Sequence, residues 1–194
     1  RAGVEVALSA GLRPKPRLSL GLPLPVGVEG RDELAAVEVV GEARDPRRLA
    51  ALLRKAAPEG LDPFAVEICE GRPRLEPVRA VYECLVPLSA EEVRGSIRAF
   101  AGAESVEVER VSPKGRRRID LKRYVDMDAV REDEAGTWVR FSIRHRREGA
   151  ARLEEVLSYL TAEGEQAGAG GAVREFVEYT GALAGASSRE SEQT

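Results

Sequence analysis

Apolar and polar positions alternate through Val4-Glu5-Val6-Ala7-Leu8 and again at Leu18, Leu20 and Leu22, a pattern that predicts two half-buried strands. Between them runs Ser9-Ala10-Gly11-Leu12-Arg13-Pro14-Lys15-Pro16-Arg17, where two prolines forbid a helix and bias Arg13 and Lys15 towards extended backbone. A stiff loop displaying its basic side chains is expected there. After Pro23-Leu24-Pro25-Val26-Gly27, residues 33–40 are apolar enough for a more buried strand ending at Gly41. Asp45 followed by Pro46 predicts a capped helix with Leu49, Leu52 and Leu53 inward, stopping at Ala57 ahead of Pro58. Phe64, Val66 and Ile68 alternate as a further strand.

The second half has a similar cadence. A strand over 80–87 precedes a helix opened by the capping box Ser89-Ala90-Glu91-Glu92, with Val93, Ile97 and Phe100 inward, and a strand follows near 105–111. A hairpin turn at Ser112-Pro113-Lys114-Gly115 leads into a strand over Arg118–Tyr124, and Trp138–Ile143 alternate as another. Leu153, Val156, Leu157 and Leu160 mark one face of a helix, and Val173, Phe176 and Val177 close the core as a last strand or short helix.

Taken as an order of elements, the second half follows the ferredoxin-like pattern, and the first half matches it if its opening strand and helix are missing. The expected class is therefore α+β, with two tandem ferredoxin-like units, the first incomplete at its N-terminus. Residues 1–76 form the first unit and 77–184 the second, with Gly71–Pro77 as hinge and 185–194 as a disordered tail. The opening Arg1-Ala2-Gly3 reads as the end of a helix that has lost its body, so a chain truncated at its start is expected.

Composition narrows the function classes. Of 194 residues 43% are hydrophobic and only 5% aromatic, which argues against a stacking surface for single-stranded nucleic acid. The 30 basic residues comprise 26 Arg and 4 Lys against a net charge of −3, a bias that genome composition or selection for bidentate contacts can equally produce. No apolar run approaches the roughly 18 residues of a membrane span and no secretory signal is present, so a cytoplasmic protein that does not engage membranes is expected. Cys69 and Cys84 sit alone in strand-like stretches, which suits two buried thiols and supplies neither a metal cluster nor a disulfide framework. No cofactor or metal is expected. Gly168-Ala169-Gly170-Gly171 lacks the Lys-Ser or Lys-Thr of a phosphate cradle and reads as a connector.

Four basic clusters stand out: Arg13, Lys15 and Arg17; Arg44, Arg47 and Arg48; Lys114, Arg116, Arg117, Arg118, Lys122 and Arg123; and Arg144, Arg146 and Arg147. Each is either a solvated face of alternating sign or a set of phosphate contacts, and the first and third are the candidates for binding RNA or a partner. Asp126, Asp128, Glu132, Asp133 and Glu134 form an acidic stretch that reads as a solvated turn, since its spacing fits no calcium loop. Asp120, between basic neighbours, is either a structural salt bridge that orients an arginine or a group acting on substrate. His145 is the only histidine and lies among arginines, whose charge disfavours its protonated form; it is either an incidental exposed residue or an acid–base group.

Ser9 to Glu29 resembles the signature of the radical SAM-linked protein family, the DUF2344 domain, whose pattern runs approximately Ser-Gln-Gly-Phe-Asn-Pro-Arg-Pro-Arg-Ile-Ser-Phe, then an apolar stretch and Leu-Pro-Val-Gly-Val-Glu. Pro58-Glu59-Gly60-Leu61 is similar to the family's turn after its helix, and Arg118–Tyr124 to its later Ile-Asp-Ile-Arg-Pro-Tyr segment. Departures are Leu12 for an aromatic, Arg13 for a polar residue and Arg123 for a proline. The family's Ser-His-Leu-Asp segment would precede Arg1. The resemblance implies association with a radical SAM enzyme, often encoded near a ribonuclease of the E/G type. This chain lacks the Cys-x-x-x-Cys-x-x-Cys triplet of such an enzyme. The expectation is a non-catalytic binding partner of a radical SAM protein that handles RNA or a translation-related substrate. The alternatives are an RNA-acting enzyme, endonuclease-like or pseudouridine-synthase-like, using Asp120 or His145, and a protein-only adaptor.

Overall fold

The computed structural model describes residues 4–41, 45–113, 115–161 and 171–180. In chain order the elements are β1 (Leu18–Leu20), β2 (Val28–Gly30), β3 (Ala35–Val37), α1 (Pro46–Ala56), β4 (Glu76–Val86), α2 (Ala90–Gly102), β5 (Glu107–Ser112), β6 (Gly115–Asp120), β7 (Val125–Asp133), β8 (Gly136–Arg144), α3 (Leu153–Thr161) and β9 (Ala172–Thr180). The described residues thus form a mixed α/β chain, consistent with the α+β class. Packing divides it into one unit of Arg1–Gly21, Leu34–Leu75 and Thr180–Thr194 and another of Leu22–Glu33 and Glu76–Tyr179. The stretches expected as a glycine connector and a disordered tail lie outside the described residues except for Gly171.

In the first unit, β1 pairs antiparallel with β3, Leu18 opposite Val37 and Leu20 opposite Ala35. Residues 4–8, expected as a strand, contribute only isolated bridges, Val6 to Val39 and Leu8 to Pro16. Two prolines within four residues deny this ladder the donors that a continuous strand needs. The strand expected over 33–40 shortens to β3 and is exposed at Ala35 and Val37. That expected at 64–68 has no ladder, so Phe64 and Ile68 are exposed, and Cys69, expected buried, lies at the surface beside them. Helix α1 is as its caps dictate: the Asp45 side chain accepts from Arg47 N at 2.9 Å, Pro46 occupies the first turn, and the helix stops before Pro58. Its inward face is thin, with Ala50 buried and Leu53 exposed.

The second unit is built around a five-stranded sheet in the order β2-β9-β4-β8-β7. β4 and β8 pair antiparallel over Arg79–Val86, β8 and β7 pair antiparallel, and β2 joins the edge parallel to β9. Helix α2 follows β4 and α3 follows β8, and their apolar stripes (Val93 and Phe100; Val156, Leu157 and Leu160) meet Ala80, Tyr82, Val139, Phe141 and Ile143 in one core. Alternation explains why: β8 buries Thr137, Val139, Phe141 and Ile143 while Trp138 and Arg140 face away. The capping box forms as expected, Ser89 Oγ accepting from Glu92 N and Glu92 Oε2 accepting from Ser89 N at 2.8 Å.

Two expectations change here. Asp126, Asp128, Glu132 and Asp133 of the acidic stretch lie in strand β7, with Glu134 in the turn that follows: Val125, Met127 and Val130 supply the strand's packed face, with a register shift between Met127 and Ala129 that leaves Asp128 as the extra residue. The strand expected through Tyr124 ends at Asp120, after which Leu121–Arg123 form a 3-10 turn. The residues after Ala172 are the strand β9 rather than a helix.

Candidate functional site

The first basic cluster lies in the first unit. Ser9 N donates to Lys15 O at 2.8 Å and Lys15 N to Ser9 Oγ at 3.0 Å, closing the proline-bearing loop on itself. Arg13 and Lys15 are exposed on it, and neither forms an ion pair among the described residues. Arg17 is held by Glu38, its Nη1 reaching both carboxylate oxygens at 3.1 Å. In the second cluster Arg47 and Arg48 are exposed on α1, and Arg44 lies outside the described residues.

The third cluster lies in the second unit and divides into three kinds of environment. On one face of the β5–β6 hairpin, Arg118 pairs with Glu107 at 3.0 Å and Arg116 with Glu109 at 3.3 Å, both diagonal cross-strand contacts. On the other face Arg110 stands opposite Arg117. Arg110 turns inward and is buried against Glu155, its Nη2 donating to Oε2 at 2.7 Å and to Ala150 O at 2.7 Å. Arg117 is exposed with no carboxylate partner among the described residues. Lys114 lies outside the described residues. Lys122 has a structural setting: its Nζ donates to Phe100 O at 2.9 Å and Ala101 O at 3.2 Å, satisfying carbonyls at the end of α2, and rests 4.9 Å from the Phe100 ring. Arg123 pairs with Glu148 at 3.2 Å on the surface.

Among the described residues Asp120 pairs with no arginine. Its Oδ1 accepts from Val106 N at 3.0 Å and from Lys122 N at 3.1 Å, so the carboxylate caps the 3-10 turn and ties it to the start of β5. Local sequence could have shown this, since aspartate two residues before a turn amide is a common cap. His145 is half-buried rather than exposed. Its pKa is held down first by burial and then by the charge of Arg174, not by the arginines beside it in sequence. Of those, Arg144 pairs with Asp126 at 3.2 Å, and Arg146 and Arg147 are exposed.

Sequence reasoning missed the two buried arginines. Arg174 of β9 has no exposed surface; its Nε donates to Glu33 Oε1 at 2.7 Å, its Nη2 reaches Glu33 Oε2, and Leu22 O and Pro23 O accept at 2.7 and 3.1 Å. Burial pulls its pKa down, but hydrogen bonds to Glu33 and Tyr82 and their charges outweigh this and leave it raised. The Glu33 side chain crosses Gly30 so closely that a Cβ there would stand 2.6 Å from its Cγ, which is why β2 ends in glycine. Arg110 and Glu155 form the second such pair, at the floor of a groove of about 450 Å³ between the hairpin and α3 that Val111, Arg152 and Tyr159 also line. Arg174 donates to protein acceptors from Nε and both Nη nitrogens, and Arg110 from Nε and Nη2.

Among the described residues no three His, Cys, Asp or Glu side chains converge to hold a metal ion, and no helix is long and apolar enough to cross a membrane. The family model for DUF2344, described as an uncharacterised protein conserved in bacteria, matches residues 1–156. No curated protein and no solved structure matches the chain.

Proposed function

The chain belongs to the DUF2344 family, and from that premise we propose that it is a cytoplasmic, non-catalytic binding partner of a radical SAM enzyme, handling RNA or a translation-related substrate. The observation that carries this reading is the β5–β6 hairpin. On one face Arg118 and Arg116 pair with Glu107 and Glu109, while on the other Arg117 stands exposed with no counter-charge among the described residues. An exposed guanidinium without a carboxylate partner suits bidentate contact with phosphate oxygens. The setting of Asp120 supports a binding role over a catalytic one, because its hydrogen bonds among the described residues go to backbone amides. With β2 and the β5–β6 hairpin set aside, the order β4-α2-β7-β8-α3-β9 and the β9-β4-β8-β7 part of the sheet support reading the second unit as ferredoxin-like, and the first unit as an incomplete relative.

The test is a titration of the full chain against labelled structured RNA at several salt concentrations, beside the Arg116→Ala/Arg117→Ala/Arg118→Ala variant. The variant should bind more weakly, and the slope of log K against log salt should flatten by about one for each phosphate that the variant no longer neutralises. Equal binding by the two proteins would remove RNA from the proposal. A second reading, an adaptor that touches only protein, draws support from the same hairpin, since Glu107 and Glu109 neutralise two of its arginines. Association with the radical SAM protein that survives nuclease treatment would favour it.

A further inference from the structure

The first unit's small sheet is two-faced. Arg17 and Glu38, paired with each other, share one face with Ser19, whose hydroxyl accepts from Arg72 Nη2 at 3.0 Å. The other face carries Val6, Leu8, Leu18, Leu20, Val37 and Val39, placed together by the ladder and its two bridges. It is open: Leu8 is 52% exposed, Leu18 51%, Leu20 60% and Val37 48%. A contiguous apolar face of this kind on a sheet is ordinarily covered by a helix, and one left open marks a contact surface. Beside it, the loop lifts Leu12 fully into solvent together with Arg13 and Lys15, and the sequence from Val6 to Val28 contains no acidic residue.

We infer that this apolar face docks an amphipathic helix of a protein partner, with leucine-type residues in its stripe and acidic residues on its flank. The inference rests on the reading of the chain as a binding partner, and it names the surface and the chemistry that surface selects. Apolar area supplies attraction without direction, and the basic rim supplies the direction: an acidic flank meets Arg13 and Lys15, a basic one is repelled. The same rim opposes a second copy of this chain, because a two-fold contact through this face brings the two basic loops together.

The experiment uses the full chain and two synthetic helical peptides with identical leucine stripes, one flanked by glutamates and one by lysines. The radical SAM protein that the functional reading implies is titrated alongside. The glutamate-flanked peptide should bind, slow amide exchange over 17–20 and 35–38, and weaken roughly tenfold or more in Leu18→Ser/Leu20→Ser and in Arg13→Glu/Lys15→Glu, with the lysine-flanked peptide gaining in the latter. These side chains stand in solvent, so unchanged circular dichroism confirms that the variants fold. Equal binding of both peptides, or wild-type affinity in the serine variant, overturns the inference. So does strong exchange protection of this face in the free chain, a concentration-dependent dimer that the serine variant disperses, or binding to phosphatidylglycerol vesicles in place of the peptide. If the radical SAM protein binds wild type and both variants alike, the face is refuted and the functional reading stands. If it binds neither while the glutamate-flanked peptide docks, the face stands and that reading falls.

Discussion

The two units use similar local patterns and reach different ends. In the second, alternating strands and amphipathic helices close on one another, so Phe141, Leu121 and Val156 have no exposed surface, and each wholly buried side chain of this kind contributes about 1.5–3 kcal/mol. In the first, Ala50 is the one buried hydrophobic among the described residues, while Leu18, Leu20, Leu53, Phe64 and Ile68 remain open. The difference is not in hydrophobicity, for Leu18-Ser19-Leu20 alternates as cleanly as Val139-Arg140-Phe141. A second layer over the sheet is what converts alternation into a core.

The sharpest way to break this contrast is to truncate one leucine or phenylalanine in each unit. Phe141→Ala should lose about 3–5 kcal/mol in urea unfolding through its cavity, and Leu20→Ala should stay within about 0.5 kcal/mol of wild type. A large loss from Leu20→Ala would mean that the first unit has a core after all. Next in size is the buried charge that only the second unit can hold at low cost. Glu155→Gln removes the counter-charge of Arg110, whose side chain is 8% exposed, and should cost about 3 kcal/mol, whereas Arg110→Met with Glu155→Leu should recover most of it. The same denaturant curves decide this. The smallest effect is a pH dependence. His145 titrates below its ordinary 6.5 in the folded chain because of burial and Arg174, so the unfolded chain takes up its proton first and stability falls as pH drops from about 6.5 towards the lower folded value. His145→Gln should flatten that decline, and a variant whose stability tracks wild type through this window would show that the histidine is not sheltered.

How far the sequence could be read follows from the range of the interactions. Ser89 with Glu92, Asp45 with Pro46 and the alternation of β8 are settled within a few residues, and each appeared where its pattern put it. Asp126 and Asp128 misled because acidic composition outweighed the apolar Val125, Met127 and Val130 between and around them, which a strand packs inward. Residues 64–68 misled in the opposite sense: they alternate, but no neighbouring strand offers them a ladder. Among the site residues, the basic hairpin was legible as a turn with dense charge, whereas the cross-strand glutamates that neutralise part of it depend on register. Arg174 was illegible altogether. In Val173-Arg174-Glu175-Phe176 it reads as one more polar step of a strand, and its partner Glu33 is 141 residues away.

That separation also orders events in time. Residues 22–33 leave the ribosome early, yet β2 has no strand to pair with and Glu33 no guanidinium until β9 has been made. At typical synthesis rates the wait is on the order of ten seconds. Through that interval the sheet strands β4, β7 and β8 and the two helices of the second unit are made with one sheet edge unclaimed, and the early segment 22–33, joined at both ends to the first unit's chain, waits for β9. β9, the last of the described strands, is therefore the one that ties residues 22–33 to the rest of the sheet.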